Sequence, residues 1–559
     1  MGQRVYNILF NLHTVSGIVI SVALYVIFFA GSFSFFRDEI VAWERNEQAL
    51  NEDNLPKDID QILTHLDEKY VLEGRDVNLK TYYAERAIAV NLSASKDSLA
   101  PEKAKQAVFF YIDPVSLEEQ SYTDAYSLGE FLYRLHFFAQ IYYPVGYYLS
   151  GFVAFFFLFA IITGVLVHWK KIVSNFYTFR PWAKLKTLWT DAHTALGILG
   201  LPFQFILAVT GAFFMLKALL VAPSVLSLYQ GDQVQLYKDL EYDIPVYEFT
   251  YQPIQALPSI NAYIEKTQQE WEDYDLNEVA IHNYGDANMQ VTLNGKLDYQ
   301  SKFNAPGSIV YTPATSEQRI VKDPYQPASY LDAVKNVMFR LHFGDYGGYF
   351  LRVVSFILGI LSCIVIISGV LIWLVARDRK NLPEKKRKFY NRVARIYMAI
   401  CLSMYPVTAA AFIAVKVNQG AGQSFLYWFY FLLWAVLSVF LILKKDLKYM
   451  SDFCLLSGGI LAVLIPVCNG IFSQSWFWQT FAQGHVQIAF IDVSWIVLAI
   501  ISFFAFAKSK KVKNQTCLQI IEPKGSLSHL NGRCPLRGKR ERTSDGSFLR
   551  IMRSDGHRA

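Results

Sequence analysis

Paired cysteines are missing from this sequence: its six Cys form no C-x-x-C pair and no C-x-x-C-H. That argues against a disulfide framework, a zinc knuckle or a covalently attached c-type haem. Four of the six, Cys363, Cys401, Cys454 and Cys468, fall in apolar segments. Charge is scarce as well. Asp, Glu, Lys and Arg make up 18% of the chain and come in blocks between apolar runs, so the net charge of +6 reflects membrane topology and not nucleic-acid binding. No G-x-G-x-x-G stands between a strand and a helix in the basic loops, which argues against nicotinamide or flavin binding there. What is plentiful is apolar. A hydrophobic content of 53% over 559 residues is too high for an ordinary soluble protein of this size. The 34 Tyr, 43 Phe and 11 Trp suit belts at membrane interfaces.

Eight apolar stretches approach or reach the roughly 20 residues that a helix needs to cross the hydrocarbon core. They lie near 11–36, 145–169, 190–218, 349–376, 390–416, 424–443, 452–472 and 486–507. Basic loops stay in the cytoplasm. The loop after the second stretch holds Lys170, Lys171, Arg180, Lys184 and Lys186 with no acid before Asp191. Arg377, Arg379, Lys380, Lys385, Lys386, Arg387 and Lys388, the Lys444-Lys445 turn, and Lys508, Lys510, Lys511 and Lys513 fall on the same side. Both termini are then expected in the cytoplasm. The first stretch follows Arg4 but is long and lacks an A-x-A site, so it reads as a retained anchor and not a signal peptide.

The chain divides into a first membrane helix (1–36), an outer segment (37–135), membrane helices 2 and 3 (136–218), a second outer segment (219–340), membrane helix 4 (341–376), a basic loop (377–389), four additional helices (390–507) and a tail (508–559). Each outer segment opens with a helical stretch, Asp58 to Tyr70 or Pro253 to Glu270, and continues with alternating β-rich runs such as Ala87 to Leu92, Val108 to Ile112, Asn288 to Leu293 and Ser308 to Tyr311. Two small α+β modules are expected. Pro523 to Ala559 are basic, polar and aperiodic, which predicts disorder.

The first and third membrane stretches both read H-T-x-x-G with a second Gly fourteen positions on: His13, Gly17 and Gly31; His193, Gly197 and Gly211. Arg134-Leu135-His136-Phe137 stands before the second stretch, and Arg340-Leu341-His342-Phe343 before the fourth. Thr163-Gly164 matches Ser368-Gly369, followed by Trp169 and Trp373. The first four membrane helices therefore read as a duplicated bundle. Both copies start on the same side, and parallel repeats are commonly related by a pseudo-two-fold axis along the membrane normal. Such an axis sets His13 opposite His193 at one depth and His136 opposite His342 at another.

Histidine within a bilayer is costly and faces a bundle interior, a partner or a cofactor. Facing neutral imidazoles are good axial ligands for haem iron, and helix bundles build such sites from facing helices. His13, His193, His136 and His342 are the expected ligands of two non-covalent b haems. Gly17 and Gly197, one turn from their His, would let a flat macrocycle approach the backbone. No catalytic residue is expected beyond these ligands. His168 and His485 have no duplicate and read as interfacial; His65 and His282 are expected to be solvated, and His529 and His557 lie in the tail. Arg134 and Arg340 could neutralise haem propionates or an anionic substrate, or snorkel to headgroups.

The pattern resembles the PepSY-associated transmembrane family of bacterial inner-membrane proteins, to which some ferric-siderophore reductases belong. The resemblance covers about residues 5–376 and rests on the His and Gly landmarks, their order and the outer segments. Phe110-Tyr111-Ile112-Asp113-Pro114 looks like the end of a PepSY module, and Ile309-Val310-Tyr311-Thr312-Pro313 is a looser match. It implies two PepSY-like outer modules and haem-linked reduction of ferric chelates or siderophores at the outer face. The electrons would come from a separate cytoplasmic reductase or from quinol; membrane lipid is the remaining expected partner, with no nucleic acid. A non-enzymatic protein that binds a peptide or protease, and a proton-coupled transporter that uses the His as relays, are the competing readings. The four helices from 390 to 507 depart from the compact four-span form and have no role legible in the sequence.

Overall fold

The computed structural model describes residues 2–47, 58–82, 87–177, 180, 183, 185–240, 246–297, 305–377 and 383–520. The expected disorder of the tail from Pro523 onward, with His529 and His557, and the topology markers Lys184, Arg379 and Lys380 lie outside the described residues. The helices are, in chain order, α1 (Gln3–Ser34), α2 (Arg37–Arg45), α3 (Ile59–Tyr70), α4 (Leu128–His136), α5 (Val145–His168), α6 (Ile172–Tyr177), α7 (Leu185–Leu199), α8 (Leu201–Leu228) and α9 (Gln233–Asp239). They continue as α10 (Ile260–Glu270), α11 (Tyr330–Phe343), α12 (Gly348–Arg377), α13 (Glu384–Val417), α14 (Gln423–Lys444), α15 (Leu447–Phe472), α16 (Phe477–Ala482) and α17 (Val486–Ile520). Among the described residues, eight helices are long and apolar enough to cross a membrane: α1, α5, α8, α12, α13, α14, α15 and α17. The chain is thus a mainly helical, multi-pass membrane protein.

Local chemistry sets the breaks between these helices. Gly200 separates α7 from α8, whose first turn carries Pro202, a residue that lacks the N–H a preceding helical turn would need. Beyond α1 the chain turns into α2, which has Asp38 and Glu39 in its first turn, Arg45 in its last and Asn46 in a left-handed cap. These charges complement the helix dipole, and Asn tolerates the cap conformation.

The eight strands are β1 (Val77–Lys80), β2 (Ile88–Leu92), β3 (Val108–Ile112), β4 (Glu119–Gln120), β5 (Tyr274–His282), β6 (Gln290–Leu297), β7 (Pro306–Thr312) and β8 (Glu317–Lys322). They form one antiparallel sheet in the order β4-β3-β2-β1-β5-β6-β7-β8. Two separate modules were expected. The strands of both segments instead share a sheet, because β1 pairs with β5 in the register Val77↔Ile281 and Leu79↔Val279. That pairing removes two free edges, which would otherwise present unpaired backbone groups. Two helices lie over the sheet and cap each other. The Asp60 carboxylate accepts from Ser259 Oγ (2.6 Å) and Ile260 N (2.7 Å), while Asn261 Oδ1 accepts from Ile59 N (2.8 Å). Ile62 and Leu66 of α3 and Ile264 of α10 join Leu79, Val90, Val279, Val291 and Ile309 in one buried core.

The segments read as β-rich match in part. β3 is as expected and β2 starts one residue late; the second helical stretch begins at Ile260, not Pro253. His65 and His282 are less free than expected. His65 Nε2 lies 3.4 Å from the Glu119 carboxylate, and the mostly buried His282 packs on Tyr247 with Nδ1 3.7 Å from Asp76.

Below the sheet, α1 packs between α5, α12 and α4, and α13 packs with α14 and α15; a continuous apolar core runs from α1 through α12 into the four additional helices. The sheet end of this bundle is where α1 finishes and α4 and α11 lie. The basic end is where α1 begins and α5 finishes.

Candidate functional site: two facing histidine pairs

Of the four histidines singled out, only His13 lies on one of the eight long helices. His193 is on α7, cut from α8 at Gly200, while His136 and His342 close the short helices α4 and α11 that precede α5 and α12. The sequence assigned His193 to the third membrane helix; the Gly200-Leu201-Pro202 break is the physical reason for the correction.

The pairing itself is as the repeat predicts. The rings of His13 and His193 stand with centroids 6.1 Å apart at 68°, and those of His136 and His342 at 5.9 Å and 47°. One nitrogen of each ring is already engaged. His13 Nδ1 is 2.8 Å from the Ala160 carbonyl and His193 Nδ1 2.9 Å from that of Val365. His136 Nδ1 is 2.7 Å from the Ile27 carbonyl, and His342 Nδ1 is 2.8 Å from Thr210 Oγ1. A carbonyl only accepts, so for three of the four the Nδ1 carries the proton and Nε2 keeps its lone pair, the tautomer a metal-binding imidazole needs.

Every ring rests against a glycine of a neighbouring helix. A Cβ added at Gly164 would stand 3.0 Å from His13 Cε1, and one at Gly369 3.1 Å from His193 Cε1. At Gly31 it would collide with His136 Nδ1 and lie 2.7 Å from Cε1; at Gly211 it would sit at an ordinary 3.9 Å from His342 Cε1. Gly17 and Gly197 differ. A Cβ at Gly17 meets nothing within 4 Å, and one at Gly197 meets only Val365 Cγ1 at 3.9 Å. The chain's own packing therefore does not demand glycine there, whereas Gly31, Gly164 and Gly369 are held tightly by their histidines. Recurrence marked all six in the sequence without telling these two groups apart.

An imidazole nitrogen binds a metal at about 2 Å, so two rings on opposite sides of one iron have centroids about 6 Å apart. Both pairs meet that spacing. Among the described residues no group of three or more His, Cys, Asp or Glu gathers closely enough to hold an ion. Two imidazoles per pair are too few for a bare metal, which usually takes four or more ligands. They suit a metal that brings its own equatorial donors, and haem does.

The other candidates fall outside the pairs. His168 is part-exposed at the end of α5, and Trp373, its counterpart, packs on Tyr390 with Arg377 over its face at 4.6 Å. His485 is part-exposed at the turn before α17, its N–H donating to the Thr480 carbonyl. Arg134 is engaged by protein: it donates to Glu130 at 2.6 Å and lies over the Tyr122 ring. Glu130 also receives Arg37 at 2.9 Å. Burial by itself would raise the Glu130 carboxyl, but the Arg37 and Arg134 charges outweigh it and hold it below the ordinary carboxylate range. Arg340 is buried. Thr210 and Ser368, the latter with Oγ 3.4 Å from His193 Nδ1, were not recognised as partners of the rings; the polar residue immediately before a repeat glycine was the available signal.

The model of the PepSY-associated TM region matches residues 10–376, and the chain belongs to that family. Comparison with curated proteins returns no match.

Proposed function

Taking membership of that family as premise, we propose that this chain holds two b haems, one per histidine pair, and carries electrons from the basic, cytoplasmic face of a bacterial inner membrane to the sheet face. There it reduces ferric chelates, ferric siderophores among them, for iron acquisition. The observation that carries the reading is the pair of facing imidazole couples at 6.1 and 5.9 Å. Support also comes from the repeated environment: each ring has a held Nδ1 and a glycine against one face, in the same order in both halves of the family-matched region. The strand order, identical when read outward from β1 and from β5, fits a duplicated chain with a PepSY-like half on each side.

When bound, haem supplies reversible one-electron chemistry at a fixed depth. The protein's share is position. His13 and Ile27, whose carbonyl holds His136, lie on one helix fourteen residues apart, or about 21 Å at 1.5 Å per residue. The two pairs thus span most of a hydrocarbon core about 30 Å thick, whereas one pair could approach only one face. The open flanks of Gly17 and Gly197 leave room for a flat ring beside the inner pair. His136 and His342, at the ends of α4 and α11, place the second pair directly beneath the segments that lead to the sheet. One electron per ferric ion gives a ferrous ion, which hard oxygen ligands hold less well. A cytoplasmic reductase or quinol is the expected donor.

The first test is an absorption spectrum of the purified chain after expression with ample haem, with a sharp reduced α-band at about two haems per chain expected. His13→Ala and His193→Ala should remove one and the same haem, and His136→Ala and His342→Ala the other, while His168→Ala keeps both. The second test uses oriented vesicles with reductant on the cytoplasmic side and a ferric hydroxamate with a ferrous trap on the other. His13→Ala should abolish ferrous release while the outer haem stays bound. Absence of any Soret band would refute haem binding; transmembrane haem reduction with no ferrous release would remove the substrate assignment alone.

A further inference from the structure

The four helices α13, α14, α15 and α17 lie beyond the family-matched residues and pack on α12 and α1 as well as on α2 and α4. At the sheet end of α13, Lys416 is fully buried, as are Asp492 of α17, Asn469 of α15 and Trp43 of α2. Trp43 stands between the two charges. Lys416 Nζ sits 4.4 Å over the Trp43 ring and donates to the Trp43 carbonyl and to Ser473 Oγ, while Trp43 Nε1 donates to Asp492 at 2.8 Å. Asn469 donates to the other Asp492 oxygen at 2.8 Å and to the Ser475 carbonyl at 3.0 Å. Buried charges persist only when so engaged, and removing one partner leaves the other uncompensated.

α2 passes this anchorage on to the helix that carries His136. Glu44 accepts the first N–H of α4, at Leu128, at 2.7 Å; Arg45 donates to the Ala125 carbonyl; Arg37 binds Glu130. The helices touch at Gly129, where a Cβ would lie 2.6 Å from the Arg37 carbonyl oxygen. From the other side Phe131 packs on Tyr427, Tyr430 and Phe431 of α14, with centroids 5.8, 4.8 and 5.7 Å away. α11, which carries His342, packs Phe339 and His342 on Phe214 of α8, besides the facing of His342 with His136.

We propose that the four additional helices are a clamp on α4. Asp492, Lys416 and Trp43 act as positioning residues that fix α2, and with Phe131 they set the orientation of His136 relative to His342. The clamp is a statement about α4; its consequence for a haem rests on the function proposed above. The inner pair, His13 and His193, lies at the other end of the bundle from Lys416, Trp43 and Asp492.

Hydrogen exchange of the full chain in detergent decides the matter whether or not haem binds. In Asp492→Ala and Phe131→Leu, amides of α4 should exchange on the order of tenfold faster, with α11 and α7 unchanged. Trp43→Phe keeps the ring under Lys416 and loses only the indole donor; it should give a smaller change confined to α2 and α4, and it serves if Asp492→Ala does not fold. In haem-loaded protein the ferric low-spin resonance and midpoint potential of the outer haem should move while those of the inner one stay. Unchanged α4 exchange in Phe131→Leu and Trp43→Phe, or equal acceleration in all helices, would overturn the clamp. If the chain takes up no haem, the haem reading fails and the exchange result still judges the clamp. If α4 loosens but a bound outer haem keeps its resonance and potential, His136 positioning is refuted.

Discussion

Gly31 offers the sharpest test of how the outer histidine is seated. A Cβ there would meet His136 Cε1 at 2.7 Å, about 1 Å inside ordinary carbon–carbon contact. The ring cannot simply retreat, because its Nδ1 is held at 2.7 Å by Ile27, one turn back on the same helix. Gly31→Ala must therefore break or stretch that bond or push α4 from α1, at a cost of about 1–3 kcal/mol for either the overpacking or the lost buried hydrogen bond. The gain in helix propensity from Gly to Ala, roughly 0.5–1 kcal/mol, offsets only part. Gly211→Ala is the matched control: its Cβ would sit at 3.9 Å from His342 Cε1 and 3.5 Å from Ala154 Cβ, so the propensity gain should leave it neutral or slightly more stable. Thermal unfolding in detergent compares the two without reference to cofactor, and, if haem binds as proposed, the α-band of the reduced protein then shows whether the outer site alone has changed. If Gly31→Ala unfolds at or above the temperature of Gly211→Ala, the tight seating of His136 on α1 is wrong.

Charge supplies two further predictions. Reporter fusions at Lys184 and Arg387 should report cytoplasm, and those at Ser95 and Asn294 the opposite face; an outside signal at Lys184 would reverse the proposed direction of electron transfer. Glu130, held low by Arg37 and Arg134 against the effect of burial, contributes stability that is complete above the unfolded Glu value of about 4.3 and is lost as pH falls through the lower, folded one. At Asp76 burial would raise the carboxyl, but the nearby His282, the Lys96 ammonium at 2.8 Å and the Asn283 N–H at 3.0 Å keep it low, so its contribution is lost as pH falls below the ordinary Asp value of about 3.9. The unfolding temperature should therefore drop as pH falls below about 4, and Glu130→Gln should be less stable at neutral pH with a shallower acid decline; an equally steep decline in that variant would sink the assignment.

The histidine pairs were legible because recurring motifs convert sequence spacing into relative depth: two like segments threaded in the same direction are expected to place like residues at like heights, and only facing partners remain to be inferred. Duplication carries no information about local breaks. R-L-H-F occurs twice, but its histidine can begin a membrane helix or end a separate one, and the residues after the motif decide which: Ala139 to Pro144 and Gly344 to Gly347 divert the chain before α5 and α12. The merged sheet was hidden for another reason. Alternation shows which face of a strand is buried, not which edge it pairs, so the runs at β2, β3, β6 and β7 were read as strands while the β1–β5 pairing, two hundred residues apart, was not.

Legibility fails most completely at the join between the family-matched region and the four added helices. Lys416 and Asp492 are charges at the end of and inside apolar runs that the sequence reading did not single out, and the residue that reconciles them is Trp43, 373 positions before Lys416. Tryptophan near a membrane face is usually read as an interfacial belt residue. Here its ring, indole N–H and carbonyl are all used by buried charges, so this Trp is an anchor inside the protein and not a float at its edge. The distinction bears on function through α2. A helix pinned at Trp43 and joined to α4 through Glu44 and Arg37 restrains one outer histidine and leaves its symmetry mate to α8. If the two pairs hold haems as proposed, this unequal restraint of His136 and His342 is a means by which the chain would set the potential of one haem apart from the other.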